Sequence, residues 1–483
     1  MTTRTRRNVH QLPQDDKTLI WYARAVAEMR KRPATDPASW GYQAAIHGFE
    51  PTLPAWQGVG ALPSLNQRIE YWNQCQHGSW YFLPWHRMYL AYFEDIVMKT
   101  VVGLGGPGDW ALPFWDYSDA NARALPPEFA ASTFPGLPGA NPLSVPGRAL
   151  GTAAHKVIPS QDVKLTALKH RNFVADVHGG NPGFGGPRTA FSHGGGTHGL
   201  LESLPHDIVH MVIGGVMSDP QTAALDPIFW LHHANIDRLW QVWLNTEPGS
   251  ANPDDPQWLN RAFDFHSATS VPVTLTPAQV LDTTQLLSGY VYEGVGPKVA
   301  AGPAETAAAA RMEFSMKTST PPEVMAATNE PQSLGSVPHA LKLDVLPGNR
   351  PVRSQFLKLP LAAGKVAPAT EAYLNFENIV GTGVPPIYDV YINLPDGEKD
   401  PSAFYAGSLP MFGVAASSVA SVHQSGSGTH YVLHVTELLD ALRARKDWNE
   451  NQLQVTLVPR DSLPQGVRVS IGRVSLYVKQ IGG

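Results

Sequence analysis

The chain has 483 residues, which predicts roughly two to four domains and allows a large buried core. Its 36 Lys and Arg residues against 41 Asp and Glu residues give a net charge of −5, without a long block of either sign. This distribution argues against a function in binding nucleic acid or an anionic membrane surface. The single cysteine, Cys75, excludes an intramolecular disulfide, which fits a reducing compartment.

The N-terminus carries paired arginines, Arg6 and Arg7, as some export signals do. Mostly polar residues follow at 11–17, where such a signal would have an apolar segment. No run of about 18 apolar residues occurs elsewhere, so we expect neither a signal peptide nor a membrane span. A cytoplasmic protein is the expectation, and export together with a partner stays open.

The first part of the chain is predicted to be a helical body. Apolar residues recur there with helical spacing in several segments separated by turn residues. Long Gly- and Pro-rich connections at 126–147 and 178–199 are expected to border a functional site. The predicted helices span residues 15–32, 39–49, 65–71, 85–102, 203–213 and 226–244.

The composition changes after residue 295. Residues 296–339 are rich in Ala, Pro, Thr and Ser and are interpreted as a linker. Residues 340–483 contain short alternating runs separated by turn residues, which is typical of an antiparallel β-sandwich or barrel. We therefore predict a catalytic domain at 1–295 and an all-β domain at 340–483.

Two histidine sets indicate metal binding. His206 and His210 are four residues apart in a helical pattern, so both side chains lie on one helix face. An isolated pair with this spacing is often two ordinary helix histidines, but His232 and His233 follow in a second apolar helix. Burying such histidines without a partner is costly, and three imidazoles from two helices would satisfy one metal. A zinc peptidase is disfavoured because no Glu follows His206.

The other set precedes it in the chain. His77 and His86 lie on either side of Pro84, which is expected to interrupt the helix, so that the two histidines belong to different segments. His47, in the predicted helix 39–49, would supply a third ligand. Neutral imidazole suits copper, zinc, iron and nickel, and two sets of three histidines within one bundle imply a metal pair.

Two long motifs carry a resemblance to a known family. Residues 82–90 read FLPWHRMYL, and residues 226–240 read DPIFWLHHANIDRLW. Together with His77, His206 and His210, they resemble the type-3 copper proteins, which include tyrosinases, catechol oxidases and haemocyanins. The resemblance implies a four-helix bundle that holds two copper ions, and oxidation by O2 of monophenols to catechols and of o-diphenols to o-quinones. The implied copper ligands are His47, His77 and His86 on one ion and His206, His210 and His233 on the other.

The resemblance also suggests roles around the copper pair. Cys75, two residues before His77, matches a cysteine that forms a thioether to the histidine ring in some members. Glu202 matches an acidic residue that orders a water molecule, and His232 lies near the site without binding copper. Asp207 stands where true tyrosinases often have Asn, which leaves hydroxylation of monophenols less certain than oxidation of diphenols. Asp237 is expected to accept a hydrogen bond from a ligand imidazole or, alternatively, to form a surface salt bridge.

The resemblance extends to two further regions. Residues 290–292, YVY, match a tyrosine motif that closes the catalytic domain, with Arg6 or Arg7 as a packing partner. The β-domain matches one that shields the copper site in latent members, and Phe356 is our candidate for the residue that plugs the entrance. The alternative from another class is a haemocyanin-like oxygen carrier, in which this domain permanently excludes phenols.

Overall fold

The computed structural model describes residues 3–174, 179–246, 248–296, 321–346, 370–421, 425–445, 448 and 452–480. Within these ranges, no helix is both long enough and apolar enough to cross a membrane. The described residues form a helical domain with a continuous buried core, followed by a β-domain with a core of its own. This arrangement confirms the predicted fold class.

The helical domain is built on two long helices that pack against each other, α4 and α7, with α1 and α2 beside them. Their buried sides are mostly apolar, apart from a few polar residues such as His86 and Asp237, and burial of the apolar side chains stabilises the bundle. The helices are α1 (Thr18–Lys31), α2 (Trp40–His47), α3 (Leu65–Tyr71), α4 (Phe82–Gly103), α5 (Pro127–Ala130), α6 (Ile208–Ile213), α7 (Pro227–Thr246), α8 (Pro256–Leu259), α9 (Val414–Ser417) and α10 (Thr436–Arg443).

Two details of the predicted helices are wrong. Pro84 does not interrupt a helix, because it is the third residue of α4, where the missing N–H has no partner to lose. The predicted helix 203–213 is regular only over α6. Residues Glu202–Asp207 form a wider helical turn in which Leu204 has extended backbone angles (φ −144°, ψ 117°) before Pro205.

The β-domain is one curled sheet whose strands follow the order β11-β10-β13-β8-β6-β14-β9-β12-β2, with β7 paired to β14. Small pairs β1–β5 and β3–β4 belong to the helical domain. The strands are β1 (Arg4–Arg6), β2 (Gly196–Thr197), β3 (Phe263–His266), β4 (Pro272–Leu275), β5 (Tyr290–Tyr292), β6 (Glu323–Ala327), β7 (Gln332–Leu334), β8 (His339–Val345), β9 (Thr370–Thr382), β10 (Tyr388–Ile392), β11 (Tyr405–Leu409), β12 (Thr429–His434), β13 (Leu453–Pro459) and β14 (Arg468–Gln480).

The β-domain begins earlier than its predicted start at residue 340. Strands β6 and β7 lie inside the range 296–339 that composition assigned to a linker, and both pair with β14. Their short runs of small and polar residues lack the alternation of large apolar residues that marks the other strands. Partners distant in sequence, rather than local pattern, make these residues strands.

The two domains are joined by backbone and side-chain contacts. Strand β2 of the helical domain pairs in parallel with β12, which makes it the end strand of the β-domain sheet. Elsewhere in the interface, Arg460 donates two hydrogen bonds of 2.5 and 2.8 Å to the carboxylate of Asp162. The β-domain is therefore fixed in a defined position over the helical domain.

Candidate metal centre

The first histidine group combines two helices and a loop. His47 is the last residue of α2, His77 lies in the loop before α4, and His86 lies in the second turn of α4. All three are buried, and one ring nitrogen from each lies within 4.8 Å of the others. The structure thus brings together the three histidines that the sequence predicted for the first metal.

The second group contains four buried histidines. His206 precedes α6, His210 lies within it, and His232 and His233 are adjacent on α7. Their ligand atoms also lie within 4.8 Å of one another. The Nε2 atoms of His210 and His233 are 3.3 Å apart, so these two nitrogens converge on one point. His232 instead hydrogen-bonds through Nδ1 to the hydroxyl of Tyr117 at 3.1 Å.

Hydrogen bonds fix the tautomer of most of these rings. Backbone carbonyls accept from the Nδ1 atoms of His47, His86 and His210 at 2.9, 2.8 and 2.8 Å. A protonated Nδ1 leaves the lone pair on Nε2, which is the atom that can bind a metal. Within the two histidine groups, the buried Nε2 atoms without a hydrogen-bond partner belong to His47, His77, His86, His206 and His232.

Unpartnered nitrogens of this kind are rare in protein interiors, and a metal ion would satisfy them. Burial, reinforced by the neighbouring histidines, holds the pKa of His47, His77 and His86 well below the usual value. Burial likewise lowers the pKa of His210 to about 4. The rings are therefore neutral at pH 7, which is the form that coordinates metals.

The two groups face each other. The rings of His86 and His233 stack with their centroids 4.5 Å apart and their planes 12° apart, and the centroids of His77 and His206 are 5.8 Å apart. Ligand sets this close form a dinuclear site rather than two independent sites. An all-imidazole donor set suits copper, so the residues present fit a copper pair.

An aromatic side chain from the β-domain covers this site. The ring of Phe412 stacks on His210 at a centroid distance of 4.3 Å, and its centroid lies 5.8 Å from that of His77. The backbone has positive φ on both sides of it, at Met411 (φ 68°) and Gly413 (φ 74°). This sharp turn projects Phe412 from the β-domain toward the histidines.

Comparison with known proteins gives the family. Residues 37–146 and 159–246 match the common central domain of tyrosinase, residues 252–300 match the polyphenol oxidase middle domain, and residues 321–479 match a domain of unknown function. The tyrosinase HcTyr1 of Hahella sp. is 39% identical over 492 residues, covering 98% of this chain and 99% of that protein. The chain belongs to the tyrosinase and polyphenol oxidase family.

More distant relatives agree with this assignment. The chloroplastic polyphenol oxidase of Malus domestica is 29% identical over 469 residues, which cover 91% of this chain and 72% of that protein. The structure of latent apple tyrosinase shares the fold over 99% of this chain and 97% of its own, with a TM-score of 0.57 and 23% identity. The chain is thus a copper-dependent phenol oxidase with a helical catalytic domain and a C-terminal β-domain.

A carboxylate pair lies beside the second histidine group of the phenol oxidase. Glu202 accepts hydrogen bonds from the backbone N–H groups of Gly78 at 2.9 Å and Gly199 at 3.3 Å. Asp207 accepts from His206 Nδ1 at 2.8 Å through one oxygen and from His198 Nδ1 at 2.6 Å through the other. Burial and the nearby Asp207 raise the pKa of Glu202, although His198 opposes this shift. The structure therefore adds His198, which the sequence analysis missed, to the predicted residues Glu202 and Asp207.

Cys75 lies beside His77, its predicted thioether partner, and also beside a second histidine. Its Sγ atom is 3.5 Å from Nδ1 of His77 and 3.2 Å from Nδ1 of His193. Burial raises the pKa of the thiol well above its usual value, so the sulfur is not a free thiolate. His193 was not singled out in the sequence, because no motif marks it.

Asp237 does not contact a ligand imidazole, and that expectation is wrong. Its carboxylate accepts from Nε of Arg87 at 2.6 Å and from the hydroxyls of Tyr290 and Tyr292, each at 2.7 Å. The alternative of a surface salt bridge is also wrong, because Asp237 is buried. Arg6 donates to the hydroxyl of Tyr292 at 2.7 Å, which confirms the predicted contact between the tyrosine motif and the N-terminal arginines.

The predicted plug, Phe356, lies outside the described residues. Phe412 occupies the place expected of a plug, and the sequence offered only a weak signal for it: an aromatic residue next to Gly413 between two strands. Tyr431 is a further β-domain residue at the site, since its hydroxyl donates to Asp207 at 3.2 Å.

Proposed function

We propose that His47, His77 and His86 hold one copper ion and that His206, His210 and His233 hold the other. The Nε2 atoms of His210 and His233 lie 3.3 Å apart, and this convergence favours His233 over its neighbour His232 as the third ligand. The reaction is the o-hydroxylation of monophenols and the oxidation of o-diphenols to o-quinones. The observation that carries this proposal is the convergence of buried, unpartnered imidazole nitrogens in two facing groups.

When bound, the copper pair supplies the redox chemistry that reduces O2 and oxidises the phenol. The chain itself supplies a dry site in which all the histidines of both groups are buried. Phe412 stacks on the His210 ring, and this marks the position that the ring of a phenol would take once Phe412 has moved away. An aromatic substrate in that position keeps the stacking contact that Phe412 makes in the closed enzyme.

Glu202 is our candidate for the proton acceptor. A phenol has a pKa near 10, so it must lose its proton to a base at neutral pH. Burial raises the pKa of Glu202, which moves a carboxylate toward the range where it can take up a proton. Asp207 is already engaged by His206, His198 and Tyr431, so Glu202 is the freer of the two carboxylates. Met211, which follows His210 in α6, carries no charge that would select charged substrates.

We also propose a thioether between Cys75 and His77. Its formation would join the sulfur to a ring carbon in place of one S–H and one C–H bond, and the two protons and two electrons released would reduce one O2 to H2O2. Bound copper would supply this redox chemistry. The product is lighter by two hydrogen atoms than the unmodified chain. Peptide mapping by mass spectrometry after exposure to copper and O2 tests this step and distinguishes His77 from His193, whose Nδ1 is slightly closer to the sulfur.

The β-domain makes the enzyme latent in this proposal. It places Phe412 against the histidines, and the strand pair β2–β12 together with the Arg460–Asp162 ion pair holds the domain there. Access of phenols then requires that Phe412 leave the site. Residues 321–479 match a domain of unknown function. The contact of its Phe412 with His210 supports a role in latency.

The test uses the full chain with Phe412→Ala, loaded with copper, and measures O2 consumption with a monophenol and with a diphenol. We expect both substrates to be oxidised, and we expect Glu202→Gln in the same background to lose monophenol hydroxylation more than diphenol oxidation. An exposed apolar residue of the same domain, Val337, provides the control variant Val337→Ala. If Phe412→Ala binds copper and O2 but oxidises neither substrate, the proposed reaction is refuted and an oxygen carrier is favoured.

A further inference from the structure

One short segment connects the β-domain to the histidine site, residues 193–198, here called the bridging segment. Its Gly196 N–H donates to the carbonyl of Gly428 at 3.0 Å, and its His198 N–H donates to the carbonyl of His430 at 3.2 Å. These are the hydrogen bonds of the β2–β12 pair. The backbone position of the bridging segment is therefore set by the β-domain.

The same segment is linked to a histidine of each group, directly to His77 and through Asp207 to His206. The carbonyl of His193 accepts from Nδ1 of His77 at 3.4 Å. At the other end, His198 Nδ1 donates to one oxygen of Asp207 at 2.6 Å, and the other oxygen accepts from His206 Nδ1 at 2.8 Å. A displacement of the bridging segment would thus disturb the orientation of both His77 and His206.

His198 has the features of a residue that holds another in place. It is buried, its ring centroid is 5.0 Å from that of Tyr431, and its Nε2 has no hydrogen-bond partner among the described residues. Its Nδ1–H makes the shortest hydrogen bond to Asp207. Without it, the carboxylate would keep only the longer bond from Tyr431 on that oxygen and could rotate away from His206.

We propose that His198 is a positioning residue for copper ligation by His206, and that the β-domain holds it in place through the bridging segment. The proposal rests on the assignment of His206 as a copper ligand made above. Groups that hydrogen-bond to the far nitrogen of a ligand histidine typically change metal affinity by about 10–100-fold. The β-domain then has two opposite effects: Phe412 closes the site, while the bridging segment orders it.

The first test removes the side chain that does the holding. In copper-free full-length protein, stepwise Cu(I) binding is measured by competition with a chromophoric chelator. Because His198 acts on His206 through Asp207, we expect His198→Leu to weaken one of the two copper equivalents by about 10-fold, the lower end of that range, and to leave the other unchanged. His198→Gln, whose amide N–H can still donate to Asp207, should recover most of that affinity. A merely structural role would weaken both equivalents together.

The second test displaces the segment without changing a side chain at the site. A Cβ atom at Gly195 would lie 2.9 Å from the carbonyl oxygen of Gly428, so Gly195→Ala must push β2 away from β12. This variant should weaken both copper equivalents, because the segment serves both groups. Gly139 has a similar positive φ and no atom within 4 Å of its Cβ position, so Gly139→Ala is the matched control for backbone strain.

The outcomes separate this inference from the assignment of the ligands. If wild-type protein binds fewer than two copper ions, or if His206→Ala leaves both affinities unchanged, the ligand assignment fails and this inference fails with it. If His206→Ala weakens one equivalent and His198→Leu weakens neither, only the positioning role is refuted. Thermal unfolding of the copper-free protein shows whether His198→Leu is folded. If it is not, Tyr431→Phe replaces it as the test variant, because it removes a single donor to Asp207. It is expected to weaken the same equivalent several-fold, and unchanged affinity would refute the proposal.

Discussion

Phe412→Ala should convert the latent enzyme into an open one. The Phe412 side chain is 1% exposed and lies on His210, with its centroid also 5.7 Å from that of His206. Replacing it with Ala removes the ring and leaves the rest of the β-domain in place. A substrate phenol can then reach the histidines without displacing a protein side chain.

The size of the effect follows from the burial of one aromatic ring. Burying a Phe side chain contributes about 1.5–3 kcal/mol, and 1.4 kcal/mol corresponds to a tenfold change in an equilibrium. If that burial is what holds the site closed, the closed form exceeds the open form by about 10–150-fold. Apparent substrate affinity scales with the open fraction, so kcat/KM for a small diphenol should rise by about the same factor.

The assay compares initial rates of O2 consumption by copper-loaded wild type, Phe412→Ala and Val337→Ala at equal copper content. The rise should appear in Phe412→Ala alone. An unchanged kcat/KM in a folded, fully copper-loaded Phe412→Ala enzyme would refute the plug, because it would show that the Phe412 ring is not a barrier to the substrate. A rise of equal size in Val337→Ala would show that loosening of the domain, not the ring, controls access.

Three further outcomes are expected. Asp237→Asn should lower the free energy of unfolding by about 3–5 kcal/mol at pH 7, because it leaves the buried Arg87 without a carboxylate partner. Arg87 and Arg6 lower the pKa of Asp237 despite its burial. The ionised Asp237 therefore stabilises the fold fully above about pH 4, and this stabilisation is lost as pH falls through the lowered pKa. In denaturant unfolding, the difference in free energy of unfolding between wild type and Asp237→Asn should shrink over that pH range. Arg460→Lys, which cannot form the paired contact with Asp162, should raise the activity of the closed enzyme in the O2 assay. Copper at 100 times its dissociation constant should stabilise the fold by about 2.7 kcal/mol per bound ion in calorimetry, and a chelator should reverse this.

The sequence was sufficient for the histidines because local patterns carry them. His206 and His210 share a helical spacing, and His232 and His233 lie in a long apolar motif, so the elements around them could be predicted. His47 had no motif of its own, yet the helix 39–49 placed it on the correct element. The prediction for Pro84 was wrong because proline interrupts a helix in its interior but not in its first turn, where Pro84 lies.

The rest of the site depends on contacts between residues far apart in the chain. Phe412 and Tyr431 reach the histidines from a second domain, about 200 residues beyond His206 and His210. The periodicity of apolar residues in a local segment does not predict a contact between residues so far apart. Asp237 was assigned to an imidazole because it follows His233 by four residues. It binds Arg87 instead, since α4 and α7 pack with those faces together.

The hydrogen-bond donors around position 207 determine which side chain fits there. Both oxygens of Asp207 accept hydrogen bonds: one from His206, and the other from His198 and Tyr431. An amide has only one oxygen, so an Asn here would place its NH2 group against a ring N–H or a hydroxyl that also donates. The donors around position 207 therefore match a carboxylate and not the amide that tyrosinases often carry. Asp207 is committed to these donors, which is consistent with our proposal that Glu202 accepts the substrate proton.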